Sequence, residues 1–192
     1  MKSICVIGST SFLGKSICAS LKNKYAIIKG NSKNCNVIDN DCVQNFFKPI
    51  KYLHGLIYCS ALKTDADALA DKQVLKEILE VNLFGAISCM QIAAKKINIK
   101  KIVIIGSADG TFGNFQKTMY SVSKSALHQY TKCFATQLKS EIETICLVPG
   151  TIKNNSDKKA ISDFILSFMN DDIRNIHGQL IRIDGGHHTF AI

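Results

Sequence analysis

Short runs of apolar, largely β-branched residues alternate along this chain with longer stretches of helical periodicity. The clearest run is Ile102-Val103-Ile104-Ile105, which no polar residue interrupts. Continuous apolar strands are typical of parallel sheets that carry helices on both faces. Strands that alternate with helices in this way predict parallel pairing through helical crossovers. The pattern therefore predicts an α/β fold, a doubly wound parallel sheet in a three-layer α/β/α arrangement.

The predicted elements fill one domain, residues 1–192, which is long enough to bury a substantial core. We expect about seven strands, at residues 3–7, 25–29, 35–38, 53–59, 101–106, 142–148 and 179–183. The predicted helices are 12–22, 41–47, 66–97, 117–139 and 157–169. Only Gly30 to Asn34 separate the second strand from the third. This is too short for a helix, so we expect an irregular loop there.

Composition restricts the setting in which the chain works. No apolar run approaches the roughly 18 residues that span a bilayer, so we expect no membrane insertion. The cysteines include no CxxC pair, and most lie in apolar runs where cysteine packs as a small hydrophobe. We therefore expect a cytoplasmic location and no zinc-ribbon site. His187 and His188 are adjacent and cannot both face one metal ion from a strand, so we predict no metal site.

The net charge of +9 at pH 7 raises nucleic acid as a partner. However, the lysines are scattered, and the local pairs such as Lys95-Lys96 are typical of solvated helix ends. The chain also lacks the interleaved aromatic and basic residues that hold single strands. We expect no nucleic-acid partner, because an anionic small molecule accounts for the charge equally well.

A turn with two glycines joins the first predicted strand to the first helix. Its sequence is Gly8-Ser9-Thr10-Ser11-Phe12-Leu13-Gly14. Such a turn directs free backbone N–H groups and the positive end of a helix toward a pyrophosphate. Gly8 would permit the tight turn and Gly14 the close packing of helix on strand, while Ser11 or Phe12 replaces the usual middle glycine. The signal is weak by itself, since many strand–turn–helix segments contain two glycines.

The segment after the second strand concerns the adenosine end of a dinucleotide. Folds that bind NAD commonly place a carboxylate there, on the ribose hydroxyls, whereas this chain has Asn31, Ser32 and Lys33. A basic loop with a hydroxyl suits a 2′-phosphate, which favours NADP over NAD; the alternative is an ordinary solvated turn. Asp39 could reach the adenine edge, or it could cap the helix at 41–47.

The sharpest feature of the sequence is Tyr120-Ser121-Val122-Ser123-Lys124. Residues four apart share one face of a helix, so the lysine ammonium would lie near the phenol and lower its pKa. The phenol could then exchange a proton with a substrate oxygen. Ser107 ends an apolar strand and could bond the same oxygen. Asn82 is a polar residue amid apolar neighbours, which indicates a buried amide that is either functional or a satisfied core residue.

Taken in order, these residues resemble the short-chain dehydrogenase/reductase family over nearly the full length of the chain. The resemblance implies a Rossmann-like fold and hydride transfer between NAD(P) and a carbonyl or alcohol. It also implies a homodimer or homotetramer, with the helix of Tyr120 in the interface. The residues that carry it are the turn at 8–14, Asp39, Tyr58-Cys59-Ser60-Ala61 where the family often has Asn-Asn-Ala-Gly, Asn82, Ser107, Tyr120, Lys124, Pro149-Gly150 and Asp184-Gly185-Gly186.

The resemblance also implies a role for each matching residue. Tyr120 would be the general acid/base and Ser107 the ligand of the substrate oxygen. Lys124 would hold the nicotinamide ribose and tune Tyr120, and Asn82 would anchor a water in a proton relay. The remaining cofactor contacts would come from the glycine turn, from Cys59, Ser60 and Ala61 beside the ribose and nicotinamide, and from Pro149, Gly150 and Ile152 around the carboxamide.

The chain departs from the family pattern in ways that leave a second hypothesis open. The middle glycine is absent, Tyr58-Cys59 loses an asparagine that usually bonds within the sheet, and the segment after Pro149-Gly150 is cut to a few residues. A short segment predicts an open site suited to a bulky or carrier-bound substrate, or poor turnover of small ones. The alternative to an oxidoreductase is therefore a regulator or scaffold that binds the cofactor without efficient catalysis.

Overall fold

The computed structural model describes residues 1–67, 69–138 and 141–186. A six-stranded sheet crosses its centre in the order β2-β1-β3-β4-β5-β6. Every neighbouring pair is parallel. The strand order reverses direction between β1 and β3, so the predicted doubly wound α/β fold is confirmed.

The elements follow one another with short connections. The strands are β1 Ser3–Ile7, β2 Ala26–Gly30, β3 Tyr52–Tyr58, β4 Asn98–Ile105, β5 Glu143–Pro149 and β6 Leu180–Ile183. The α-helices are α1 Phe12–Leu21, α2 Asn40–Phe47, α3 Lys72–Leu79, α4 Gly85–Lys96, α5 Asp109–Phe112, α6 Thr118–Leu138 and α7 Asn155–Met169. A π-helical turn, Glu80–Phe84, joins α3 to α4, and a 3₁₀ turn, Phe115–Lys117, precedes α6.

Two hydrophobic cores lie on opposite faces of the sheet and give the three layers. On one face α2, α4 and α6 cover alternate strand residues such as Leu56 and Ile104. On the other face α1 and α7 cover the intervening ones, such as Ile57 and Val103. Because both sets are fully buried, the strands read as uninterrupted apolar runs.

Residues 35–38 do not form the predicted strand, and the sheet within the described residues has six strands instead of about seven. Cys35 and Val37 point into the core, which explains why the segment is apolar. Its backbone, however, turns toward α2, where the N–H of Asn36 lies 3.2 Å from the sulfur of Cys42. Asp39 then caps α2 by accepting from the N–H groups of Asp41 and Cys42. The connection from β2 to β3 therefore passes through α2.

The helix predicted at 66–97 begins only at Lys72, where Asp71 caps it by accepting from the N–H of Gln73. It is also interrupted by the π-helical turn, which contains Asn82. The hydroxyl of Tyr58 donates to the carbonyl of Val81 within this turn, at 2.6 Å. Turns of this kind often mark functional sites, because they displace a side chain from the regular helical register.

Length and hydropathy alone would allow the stretch Lys72–Lys96 to cross a membrane. In the folded chain its buried residues, such as Ile78 and Met90, lie inside the protein, and α4 packs on β3 and β4. Length and composition alone are therefore weak evidence that this stretch spans a membrane.

We expect Tyr58→Phe to lower the free energy of unfolding by about 1–3 kcal/mol, since it leaves the Val81 carbonyl without its buried donor. Urea denaturation followed by circular dichroism measures this change. Tyr52→Phe is the matched control, because the Tyr52 side chain is 40% exposed. Equal stability of the two variants would show that the bond to the π-helical turn contributes nothing.

Candidate active site

The predicted site residues gather at the carboxyl edge of the sheet, around the crevice where the strand order reverses. The glycine turn follows β1, Cys59 follows β3, Ser107 follows β4 and Gly150 follows β5. Open parallel sheets bind their ligands at this position, because the two connections leave in opposite directions.

The glycines of the turn are required by close backbone approaches. Gly8 has a φ of +84°, and a Cβ there would lie 2.6 Å from the nitrogen of Ser60. A Cβ on Gly14 would lie 2.2 Å from the carbonyl oxygen of Gly8. Both glycines therefore have the steric roles that the sequence predicted for them.

The start of α1 can receive an anion. The Ser11 hydroxyl caps the helix by accepting from the N–H of Gly14 at 3.0 Å. Within the described residues, the N–H groups of Phe12 and Leu13 have no protein acceptor, as is usual in a first helical turn. These groups fit the pyrophosphate of a dinucleotide. Phe12 replaces the middle glycine, and its exposed ring lies 3.8 Å from the Lys158 ammonium.

The loop after β2 is held by its own asparagines. The Asn31 carboxamide accepts from the N–H of Lys33, and that of Asn34 accepts from the N–H of Asn31. These bonds leave Ser32 and Lys33 exposed beside the glycine turn. Of the residues predicted for the adenosine end, these two side chains are presented outward, whereas Asn31 serves the turn itself.

Asp39 has the capping role at α2 described above, which is one of the two roles that the sequence left open.

The segment after β3 borders the glycine turn. The N–H of Cys59 donates to Ile7 at 2.8 Å, and its sulfur lies 3.6 Å from the Ser11 hydroxyl. Ser60 and Ala61 follow at the rim of the crevice, where Ser60 is half-buried and Ala61 is exposed.

The segment after β5 closes the other side. Pro149 accepts from the N–H of Ala108 at 2.8 Å, and Gly150 donates to Ile183 at 3.3 Å. A Cβ on Gly150 would lie 2.8 Å from the Cβ of Asp184. Ile152 is half-buried against the core on the α1 and α7 face. Only residues 150–154 connect β5 to α7, so this side of the crevice has little cover.

The structure brings the Ser107 hydroxyl near the phenol of Tyr120, close enough to lower its pKa. The predicted lowering of the Tyr120 pKa is nevertheless wrong for this geometry. Burial raises the pKa of Tyr120 to about 12, and the nearby Ser107 hydroxyl offsets only part of that rise. The phenol is therefore held in its protonated form near neutral pH.

Lys124 lies one turn along α6, as the spacing predicted, but its ammonium is deeply buried. Nζ is 5.7 Å from the centroid of the Tyr120 ring and donates to the carbonyl of Ile105 at 2.9 Å. Burial lowers the pKa of Lys124 to about 8. The lysine remains charged at pH 7, at a cost to the stability of the fold.

Asn82 is fully buried, and protein groups satisfy its amide. Its oxygen accepts from the N–H of Leu62 at 2.7 Å, while its nitrogen donates to the carbonyl of Leu62 and to the hydroxyl of Ser123. Ser123 in turn donates to the carbonyl of Tyr120 at 2.7 Å. These contacts make Asn82 a clamp between the loop after β3 and α6.

Sequence reasoning missed His128, which lies behind the site. Its Nε2 accepts from the N–H of Ser107 at 3.3 Å. Burial, and then the charges of Lys124 and Lys132, lower the pKa of His128 to about 4. The imidazole is therefore neutral at pH 7. Its position four residues after Lys124, on the same helical face, was the signal that could have revealed it.

The structure also bears on metal binding. Across residues 1–67, 69–138 and 141–186, no group of three or more His, Cys, Asp or Glu side chains could hold a metal ion. His187 and His188 lie outside the described residues, so the prediction about them stays a prediction.

Comparison with known proteins identifies relatives along most of the chain. A family model described as short chain dehydrogenase matches residues 2–163. Carbonyl reductase family member 4 of Xenopus laevis is 27% identical over 183 residues, covering 81% of this chain and 78% of the relative. The 3-oxoacyl-[acyl-carrier-protein] reductase FabG of Aquifex aeolicus is 27% identical over 164 residues, covering 79% of this chain and 64% of its own length.

Other relatives match more locally. Tropinone reductase-like 3 of Erythroxylum coca is 31% identical over 119 residues, 60% of this chain, and the match spans less than half, 43%, of that relative. Among solved structures, ElxO with NADP bound has a TM-score of 0.83 at 19% identity and covers 98% of this chain and 99% of its own. A short chain dehydrogenase family protein from Francisella tularensis has a TM-score of 0.84 at 19% identity, with 98% and 99% covered. These structures agree with the fold.

We expect Lys124→Met to stabilise the protein at pH 7 by about 1–3 kcal/mol, because it removes a buried ammonium. The lowering of the Lys124 pKa to about 8 shows that burial disfavours this charge. The loss of a donor to Ile105 offsets part of the gain. Thermal unfolding should show a higher Tm, while Lys132→Met, at an exposed position on the same helix, should change it little. A lower Tm for Lys124→Met would contradict the assignment of a destabilising buried ammonium.

We expect stability to fall as the pH drops from 6.5 toward 4, because the unfolded chain then binds protons that His128, with a pKa lowered to about 4, does not take up. The full effect is on the order of 3 kcal/mol. His128→Gln, which can still accept from Ser107, should flatten this slope in urea titrations. His54, whose pKa burial also lowers, is present in both proteins, so their difference isolates His128. Identical slopes would rule out its contribution.

Proposed function

The chain belongs to the short chain dehydrogenase family, and from that premise we propose that it is an NAD(P)-dependent oxidoreductase that reduces a carbonyl group. The observation that carries the proposal is the placement of Tyr120 near the Ser107 hydroxyl and beside the buried Lys124. This set lies at the carboxyl edge of the sheet, next to a glycine turn that fits a pyrophosphate.

Ser107 and Tyr120 would act on the same substrate oxygen. The Ser107 hydroxyl would orient the carbonyl, and the Tyr120 phenol would donate a proton to its oxygen. The nicotinamide cofactor would supply the hydride that reduces the carbonyl carbon. A bound substrate would place its carbonyl oxygen within reach of both hydroxyls.

The protonation state of Tyr120 suits a proton donor. Burial raises the pKa of the phenol to about 12, so it is protonated at pH 7 and would be ready to donate to a carbonyl oxygen during reduction.

Lys124 and Asn82 would support the chemistry in different ways. Lys124 would hold the ribose of the cofactor and bring its ammonium toward the phenol, which offsets the effect of burial on the phenol. Asn82 would act as a positioning residue by fixing Leu62 and, through Ser123, the first turn of α6. A water in a proton relay is not needed for this clamping role.

The cofactor would be NADP(H). Ser32 and Lys33 are exposed after β2, where a 2′-phosphate would lie, and no carboxylate lies between Gly30 and Asn34 to bond the ribose hydroxyls of NAD. The N–H groups of Phe12 and Leu13 would bind the pyrophosphate. Cys59, Ser60 and Ala61 would border the ribose and nicotinamide, with Pro149, Gly150 and Ile152 around the carboxamide.

The substrate would be a small-molecule or carrier-bound carbonyl compound. The connection from β5 to α7 is short, so a bulky group attached to the substrate could extend into solvent without a clash.

We also propose a cytoplasmic homodimer or homotetramer formed through α6. Its support is a set of exposed apolar side chains on and near that helix, namely Phe84, Phe112, Phe115 and Val122.

The experiment follows NADPH oxidation against a panel of carbonyl compounds and compares Tyr120→Phe with the native chain. We expect kcat to fall by about 10²–10⁴, which is the usual contribution of a general acid. Tyr130→Phe, on the same helix but outside the site, is the matched control and should keep full activity. Equal rates for Tyr120→Phe would remove the phenol from the mechanism, and tight NADPH binding without turnover would favour a regulator.

A further inference from the structure

A lysine that the family resemblance does not assign lies over the candidate active site. Nζ of Lys63 is 5.6 Å from the centroid of the Tyr120 ring, almost as close as Nζ of Lys124 at 5.7 Å. The two lysines differ in exposure: Lys124 is 1% exposed beneath the phenol, whereas Lys63 is exposed on the open side of the crevice. Two ammonium groups, one buried and one exposed, therefore lie within 6 Å of the centre of the Tyr120 ring.

The loop that carries Lys63 is fixed by contacts on both sides of this residue. Asn82 bonds both backbone groups of Leu62, at 2.7 and 3.0 Å. On the other side, Asp65 pairs with Lys117 at 3.4 Å, and Ala66 accepts from the N–H of Met119 at 3.3 Å. The fully buried clamp at Asn82 connects the loop to α6. The backbone at Lys63 is thus held near α6 by contacts that do not involve the lysine side chain.

The charge of Lys63 has no counterion in the described part of the chain. No carboxylate among residues 1–67, 69–138 and 141–186 lies within ion-pair distance of its ammonium. A lone ammonium at the mouth of a site attracts an anionic ligand. A substrate carbonyl bonded to Tyr120 and Ser107 would place its neighbouring atoms within reach of this flexible side chain.

We propose that Lys63 is a substrate-binding residue and that it pairs with a carboxylate carried next to the reacting carbonyl. This inference rests on the proposed carbonyl reduction and names the class of substrate, a keto acid. A single ammonium suits a singly charged carboxylate, because phosphate groups are usually held by several donors together. Lys63 would thereby select anionic over neutral carbonyl compounds, mainly through binding.

The test compares acetoacetate with ethyl acetoacetate, which have the same ketone but differ in the charge beside it. In Lys63→Gln we expect kcat/KM for acetoacetate to fall about tenfold through a higher KM, as for a lost bond to a charged group. The ester should change less than about twofold. Lys63→Arg should retain the preference for acetoacetate, and Lys24→Gln, an exposed lysine in the turn before β2 at the far edge of the sheet, should match the native chain.

A binding measurement separates this inference from the proposed activity. Isothermal titration of acetoacetate into protein saturated with NADP⁺ reports affinity without turnover, because the oxidised cofactor cannot reduce the ketone. We expect the native chain to bind acetoacetate more tightly than the ester, and Lys63→Gln to lose about tenfold in affinity. If that result came with no NADPH-dependent reduction, the proposed function would fail and the anion site would stand.

Two results would overturn the assignment. One is equal affinity of the native chain for acetoacetate and its ester, or no binding of acetoacetate at all. The other is an equal loss of activity toward both compounds in Lys63→Gln together with a shifted pH profile. That outcome would mean that Lys63 acts on the phenol and not on the substrate.

Discussion

The buried amide of Asn82 connects the parts of the molecule that must meet for the site to exist. It lies in the π-helical turn between α3 and α4 and is fully buried. Its hydrogen bonds go to Leu62 and Ser123. A buried amide without hydrogen-bond partners would destabilise the folded state. The segments that supply those partners are therefore held in place. The loop after β3 and the first turn of α6 are thereby held together, which places the loop against the phenol.

Near Asn82, two ionisable side chains are buried although their burial destabilises the fold. The Lys124 ammonium and the neutral His128 imidazole lie on one face of α6, behind Tyr120 and Ser107. Burial disfavours the charged form of each group, so it lowers the pKa of Lys124 to about 8 and that of His128 to about 4. Stable cores do not need such groups, whereas functional sites commonly contain them. Their presence supports a chemical role for this face of α6.

The sequence predicted much of the fold and most of the site because local rules govern them. Uninterrupted strands, the glycine turn and the four-residue spacing of Tyr120 and Lys124 each follow from short-range geometry. The strand at 35–38 was wrong because Cys35 and Val37 are apolar for a different reason: they pack into the core from a turn. The predicted pKa of Tyr120 was wrong because burial, which spacing does not reveal, raises it. Lys63 was missed because contacts between residues distant in sequence place it.

The account depends most directly on hydride passing between a nicotinamide and a carbonyl carbon beside Tyr120. A single-turnover reaction with NADPH deuterated at the transferred position of the nicotinamide C4, analysed by mass spectrometry of the alcohol product, measures this transfer. We expect the native chain to move one deuterium into each molecule of alcohol, and Tyr120→Phe, with the cofactor still bound, to do so far more slowly. Alcohol without deuterium, or equal transfer by the variant, would contradict the account.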